Sequence, residues 1–133
     1  MALTLSKTLN TDFDDLAEVE TLVDELIRVT PLDEDKKSGL QLCASEAVTN
    51  AMLHGNKMDP TKKVKISAIA DLKEIRFTVQ DEGDGFNPED IPNPLAEENL
   101  LKPSGRGVFL MKTYCDEVIY NNNGTQITLI VRV

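Results

Sequence analysis

At 133 residues, 41% of them hydrophobic, the chain is long enough for one domain with one core, and its composition argues against disorder. Its 23 acidic and 14 basic residues give a formal net charge of -9. That surface repels phosphate backbones and disfavours direct nucleic-acid binding, while a nucleotide held by backbone N–H groups stays admissible. The apolar runs are too short to cross a bilayer and the N-terminus lacks a basic-then-apolar leader, so a cytoplasmic protein with no membrane partner is expected.

In chain order, Leu3-Thr4-Leu5-Ser6 alternates and predicts an edge strand. Leu16, Val19, Val23 and Leu26 recur at spacings of three and four, which predicts an amphipathic helix over 12–28. Thr30-Pro31-Leu32-Asp33 reads as an N-cap threonine with proline at the first helical position and an acid at the third. The helix so opened, 31–54, has a broad apolar face of Leu40, Ala44, Ala47, Val48 and Ala51. Ser38, Gln41, Ser45 and Thr49 make one polar stripe that suits water, and Glu46, Asn50 and His54 make another. The second stripe lies between the apolar face and Leu42 and Leu53, which a solvated face does not require, so it is read as lining a cleft.

After Gly55, Val64 to Ala70 and Ile75 to Val79 alternate around an Asp71-Leu72-Lys73 turn and predict a β-hairpin. Residues 86–104 hold four prolines with no clear period, as a functional or mobile segment does. Gly105 to Cys115 reads as helix, and 118–120 and 127–131 as strands joined through Asn123-Gly124. Cys43 and Cys115 fall in separate helical segments without metal-ligand spacing and are read as buried, reduced thiols. Hairpins beside separate helices predict an α+β two-layer sandwich: a mixed, mainly antiparallel sheet with helices on one face.

Three short patterns bear on chemistry. Asp81-Glu82-Gly83-Asp84-Gly85 follows the second hairpin strand, placing a carboxylate acceptor beside glycines that admit a ligand; an exit turn has the same composition. Ser104-Gly105-Arg106-Gly107 leads into an apolar helix, whose N-terminal N–H groups and Arg106 suit a phosphate; a hinge with an incidental arginine reads the same way. In the helix, the oxygen of Asn50 suits Mg²⁺ and Glu46 suits a general base, against a plain Glu/Asn pair bonded to the sheet. His54, followed by Gly55, reads as a helix-end residue that helps to cap rather than as a catalytic base.

Taken in order, Glu46-x-x-x-Asn50-Ala51-x-x-His54-Gly55, Asp81-x-Gly83-x-Gly85 and Gly105-Arg106-Gly107-x-x-Leu110-Met111 resemble the N, G1 and G2 boxes of the GHKL ATPase superfamily. Gly124-Thr125 matches that family's late Gly-Thr pair. The resemblance spans nearly the whole chain, which reads as a single 1–133 ATP-binding kinase domain, and implies the histidine-kinase-type ATPase fold. Within the superfamily the compact length and the box forms look most like bacterial anti-sigma-factor serine kinases. That implies ATP and Mg²⁺ as ligands, with Glu46 as general base and Asn50 on the metal. Asp81 would hold the adenine amine with support from Thr125. Gly83, Gly85, Gly105 and Gly107 would shape the pocket, Arg106 would meet the phosphates, and 86–104 would be a lid over ATP.

The resemblance also implies the partners: a small antagonist protein as phosphoacceptor, and a sigma factor or other effector held in a partner switch. A homodimer is a further expectation. Two alternatives remain open, a detached histidine-kinase catalytic domain and a nucleotide-dependent binding module without kinase activity.

Overall fold

A computed structural model describes residues 2–84 and 110–133. Five strands form one sheet in the order β1-β2-β3-β5-β4: β1 Leu3–Asn10, β2 Lys63–Ala70, β3 Glu74–Gln80, β4 Glu117–Asn121 and β5 Gln126–Arg132. All four pairings among the described residues are antiparallel. Helices α1 (Leu16–Val29) and α2 (Glu34–Asn50) complete the α+β architecture.

Alternation decides which sheet face is covered. Val64, Ile66, Ala68 and Ala70 of β2 are buried, as are Ile75, Phe77 and Val79 of β3 and Ile127, Leu129 and Val131 of β5. They join one cluster with Val19, Val23 and Leu26 of α1 and Leu40, Ala44, Ala47 and Val48 of α2. Full burial of a side chain such as Phe77 stabilises by about 1.5–3 kcal/mol. The intervening residues, Lys65, Ser67, Arg76 and Thr78, are exposed or half-buried on the opposite face.

Several boundaries differ from expectation, each for a local reason. β1 runs to Asn10 because its pairing with β2 continues to Asn10 opposite Lys63. Phe13–Asp15 is a 3₁₀ turn capped by the Asp12 carboxylate, so α1 proper starts at Leu16. The cap of α2 is Asp33, whose carboxylate accepts the Lys36 N–H at 2.8 Å, and not Thr30. Thr30 instead ends α1 and donates its hydroxyl to the Asp71 carbonyl at 2.6 Å, tying the helix to the β2–β3 turn. A charged acceptor at the helix start suits the free N–H groups and the dipole better than a hydroxyl already used elsewhere.

Asp71 makes its own turn, accepting the Lys73 and Glu74 N–H groups at 2.8 and 2.9 Å. Those bonds hold its carboxyl below the usual range. The β4–β5 connection carries positive φ at Asn122, Asn123 and Gly124, which is why asparagine and glycine stand there. Residues 110–114 are helical and rest on α2, where the Tyr114 ring fills the space that a side chain at Gly39 would need. Cys43 of α2 and Cys115 are free and buried, as expected. No helix among the described residues is long and apolar enough to cross a membrane.

Candidate functional site

The site is built where the end of α2 meets the end of β3 and the start of β5. Glu46 and Asn50 lie one turn apart near the end of α2, both half-buried. Among the described residues neither side chain is engaged in a hydrogen bond or ion pair, so the pair is not bonded to the sheet. Leu42 and Leu53, the two apolar shoulders of this stripe, are 40% and 44% exposed. Gln41, from the stripe expected to face water, instead reaches α1 and donates to Asp24 Oδ1 at 2.7 Å.

Beyond Asn50 the helix widens into a π turn over Ala51–Gly55. It is closed by backbone donors: Asn56 N–H to the Ala51 carbonyl and Met58 N–H to the Met52 carbonyl, both at 2.8 Å. Lys57 and Met58 take positive φ to make that possible. His54 is exposed in the last turn of the helix, at its end as expected, and the closing bonds themselves come from backbone donors. π turns of this kind recur beside functional sites, since they re-aim the residues after them.

Past the π turn two backbones approach closely. Asp81, immediately after β3, is 8% exposed, and its Oδ1 accepts the Gly83 N–H at 2.8 Å. A Cβ on Gly55 would overlap the Asp81 carboxylate, and a Cβ on Gly83 would overlap the Gly55 carbonyl. Only two glycines let the helix end and the loop after β3 nest this tightly around one carboxylate.

Thr125 lies beside Asp81, but through the backbone: the Asp81 N–H donates to the Thr125 carbonyl at 2.9 Å. Its hydroxyl donates to the Asn122 carbonyl at 2.8 Å and accepts from Gln80 Nε2 at 2.9 Å. Gln80 Nε2 also reaches the Asp81 carbonyl at 2.7 Å. Gln80 and Asn56 therefore belong to the site, although no motif of the sequence marks either. Their partners lie 45 and 26 residues away, at Thr125 and Glu82. The one local signal is an asparagine directly after the helix-ending Gly55. Gly85, Gly105, Arg106, Gly107 and the 86–104 segment lie outside the described residues.

Burial raises the carboxyl of Asp81 above the usual range, against the opposing pull of the Gly83 N–H and the Lys62 charge. A raised folded-state value means that the folded chain holds this proton more tightly than the unfolded chain. The resulting stability is present below the unfolded range, about pH 4, and is lost as pH rises through the folded value. Asp81→Asn, which keeps the acceptor for Gly83, is therefore expected to raise the thermal midpoint of the ligand-free protein at neutral pH. The gain should shrink on acidification. A variant that melts below the parent at neutral pH contradicts a burial-dominated Asp81.

The same chain has recognisable relatives. The histidine kinase-like ATPase domain family matches residues 9–131. The chain is 39% identical over 101 residues to the anti-sigma F factor of Anoxybacillus flavithermus, covering 72% of this chain and 69% of that protein. It is 38% identical over 100 residues to the anti-sigma F factor of Geobacillus stearothermophilus, covering 71% and 68%. To the anti-sigma F factor of Clostridium perfringens strain SM101 it is 37% identical over 100 residues, covering 71% of each.

Proposed function

The chain belongs to the histidine kinase-like ATPase domain family, and from that premise we propose that it is an ATP-dependent serine/threonine protein kinase of the anti-sigma-factor type. In this reading residues 1–133 act as one cytoplasmic ATP-binding domain. It holds a sigma factor or another effector and phosphorylates a small antagonist protein, whose phosphorylation state then decides which partner is bound. The names of the relatives support the partner class.

The observation that carries the reading is the glycine-framed Asp81 carboxylate at the foot of the helix bearing Glu46 and Asn50. An ionised carboxylate is an acceptor only, which suits the exocyclic amine of adenine. Gly55 sets no side chain against it, and Gly83 sets none against the Gly55 backbone that packs on it. Thr125 supports it through the peptide carbonyl that takes the Asp81 N–H. By the resemblance, Gly85, Gly105 and Gly107 complete the pocket and Arg106 meets the phosphates.

Asn50 fits a magnesium ligand, because its side-chain amide is half-buried and unengaged among the described residues, and its oxygen is neutral and hard. When bound, Mg²⁺ neutralises charge on the phosphates. Glu46, one turn earlier, takes the proton of the acceptor hydroxyl.

Two measurements test the reading. Incubation with γ-labelled ATP, Mg²⁺ and the organism's own small antagonist protein is expected to yield an acid-stable phosphoprotein. An acid-labile product would point to histidine transfer, and no product beside intact ATP binding would leave a binding module. For the metal role, Asn50→Ala is expected to weaken Mg·ATP by about tenfold or more in calorimetry, the scale of a lost charge-assisted contact. Equal Mg·ATP affinity in variant and parent would remove Asn50 from the metal site.

A further inference from the structure

Asn56 is 1% exposed and stands where four segments converge. Its Nδ2 donates to Thr11 Oγ1 at 2.9 Å, just past β1, and to the Lys63 carbonyl at 3.0 Å, at the start of β2. Its Oδ1 accepts the Glu82 N–H at 2.8 Å, in the residue after Asp81. Its own N–H closes the π turn of the helix end. Turning the amide over would set a donor against the Glu82 N–H and an acceptor against the Lys63 carbonyl, so only one orientation satisfies every partner.

The chain is therefore pinned on both sides of Asp81. Upstream its N–H is held by the Thr125 carbonyl, and downstream Glu82 is held by Asn56 through its N–H and by the Lys63 N–H through its carboxylate, at 2.6 Å. Of these holds, the bond to Asn56 is the one that joins the Asp81 loop to the end of the helix bearing Glu46 and Asn50. Without it the loop keeps its strand-side anchor but loses its register against Gly55, which packs on the Asp81 carboxylate.

We propose that Asn56 is a positioning residue for base recognition, holding the Glu82 backbone so that the Asp81 carboxylate selects a purine bearing an exocyclic amine over one bearing a carbonyl oxygen. This rests on the reading of Asp81 as the acceptor for the base. A fixed carboxylate gains a donor from a 6-amino purine and meets an unpaired oxygen on a 6-oxo purine, whereas a loosened one swings away from the second and loses the first. Contacts to the triphosphate are common to both nucleotides and cancel in the ratio of their affinities.

Calorimetry with ATP and with inosine triphosphate, which carries a 6-oxo group, tests the assignment. The parent is expected to favour ATP by about ten- to hundredfold, the range of a hydrogen bond to a charged group. In Asn56→Leu the ratio should fall to about threefold or less, chiefly through weaker ATP binding. If that variant does not fold, Asn56→Ser, whose hydroxyl is too short to reach the Glu82 N–H, decides on the same ratio. Thr11→Val loosens the far end of the cluster alone and is expected to lower the thermal midpoint with the ratio unchanged. A variant at Asn56 in which both affinities fall together, ratio preserved, would overturn the proposal and leave Asn56 a structural residue. A parent without preference for ATP would overturn the reading of Asp81, and the proposal with it.

Discussion

Glu46→Gln is expected to bind Mg·ATP within about threefold of the parent and to transfer phosphate about 10²- to 10⁴-fold more slowly, the usual worth of a general base. The amide preserves the size and helix position of the side chain, so the half-buried face of α2 should be undisturbed. It cannot take a proton from an attacking hydroxyl. Because the carboxylate of Glu46 has no ion-pair or hydrogen-bond partner among the described residues, its loss orphans none of them. A structural contribution is thereby separated from a chemical one. The comparison requires single-turnover transfer beside equilibrium nucleotide binding. Transfer at the parental rate would remove Glu46 from the mechanism, and a parallel loss of binding would make it a ligand-binding residue instead.

Gly83→Ala is the substitution expected to damage the fold most, costing about 3 kcal/mol, at the upper end for an added methyl in a tight place. The new Cβ would fall on the carbonyl oxygen of Gly55. Both groups are backbone, so no side chain can turn aside to relieve the overlap; the loop or the helix end must move. Gly55→Ala makes an instructive pair with it. There the new Cβ meets the Asp81 carboxylate, the end of a side chain, which yields by leaving its place. Gly83→Ala should therefore show its main effect in the chemical-denaturation midpoint, and Gly55→Ala in ATP affinity at near-parental stability. A Gly83→Ala protein as stable as the parent would mean that the two backbones do not nest in this way.

The elements that hold the site were legible because each has a local signature. Period-two alternation marked Val64 to Val79 as a hairpin, and the Asx turn at Asp71 was readable from its residue type. The stripe of Glu46 and Asn50 was readable from helical spacing, because α2 runs without interruption through Asn50. Features decided by a contact between distant segments were not legible. Thr30 has the chemistry of a cap, yet its hydroxyl is claimed by Asp71, 41 residues on. Thr125 lies beside Asp81, and the contact between them runs through a peptide carbonyl, a group that no side-chain pattern reports. Asn56 is the clearest case, since one side chain serves Thr11, Lys63 and Glu82, none of which announces it.

The strand order has a consequence for how the chain is made. β5 follows β4 in the chain but lies between β4 and β3 in the sheet. During synthesis the antiparallel β1-β2-β3 set emerges with the outer rim of β3 unpaired, and it stays so until residues 126–132 have left the ribosome. That rim borders the apolar side formed by Ile75, Phe77 and Val79, the combination that invites pairing with another nascent copy. Asp81 and Thr125 meet only when β5 slides into that slot, so the glycine-framed carboxylate receives its backbone anchor in the same event that closes the sheet.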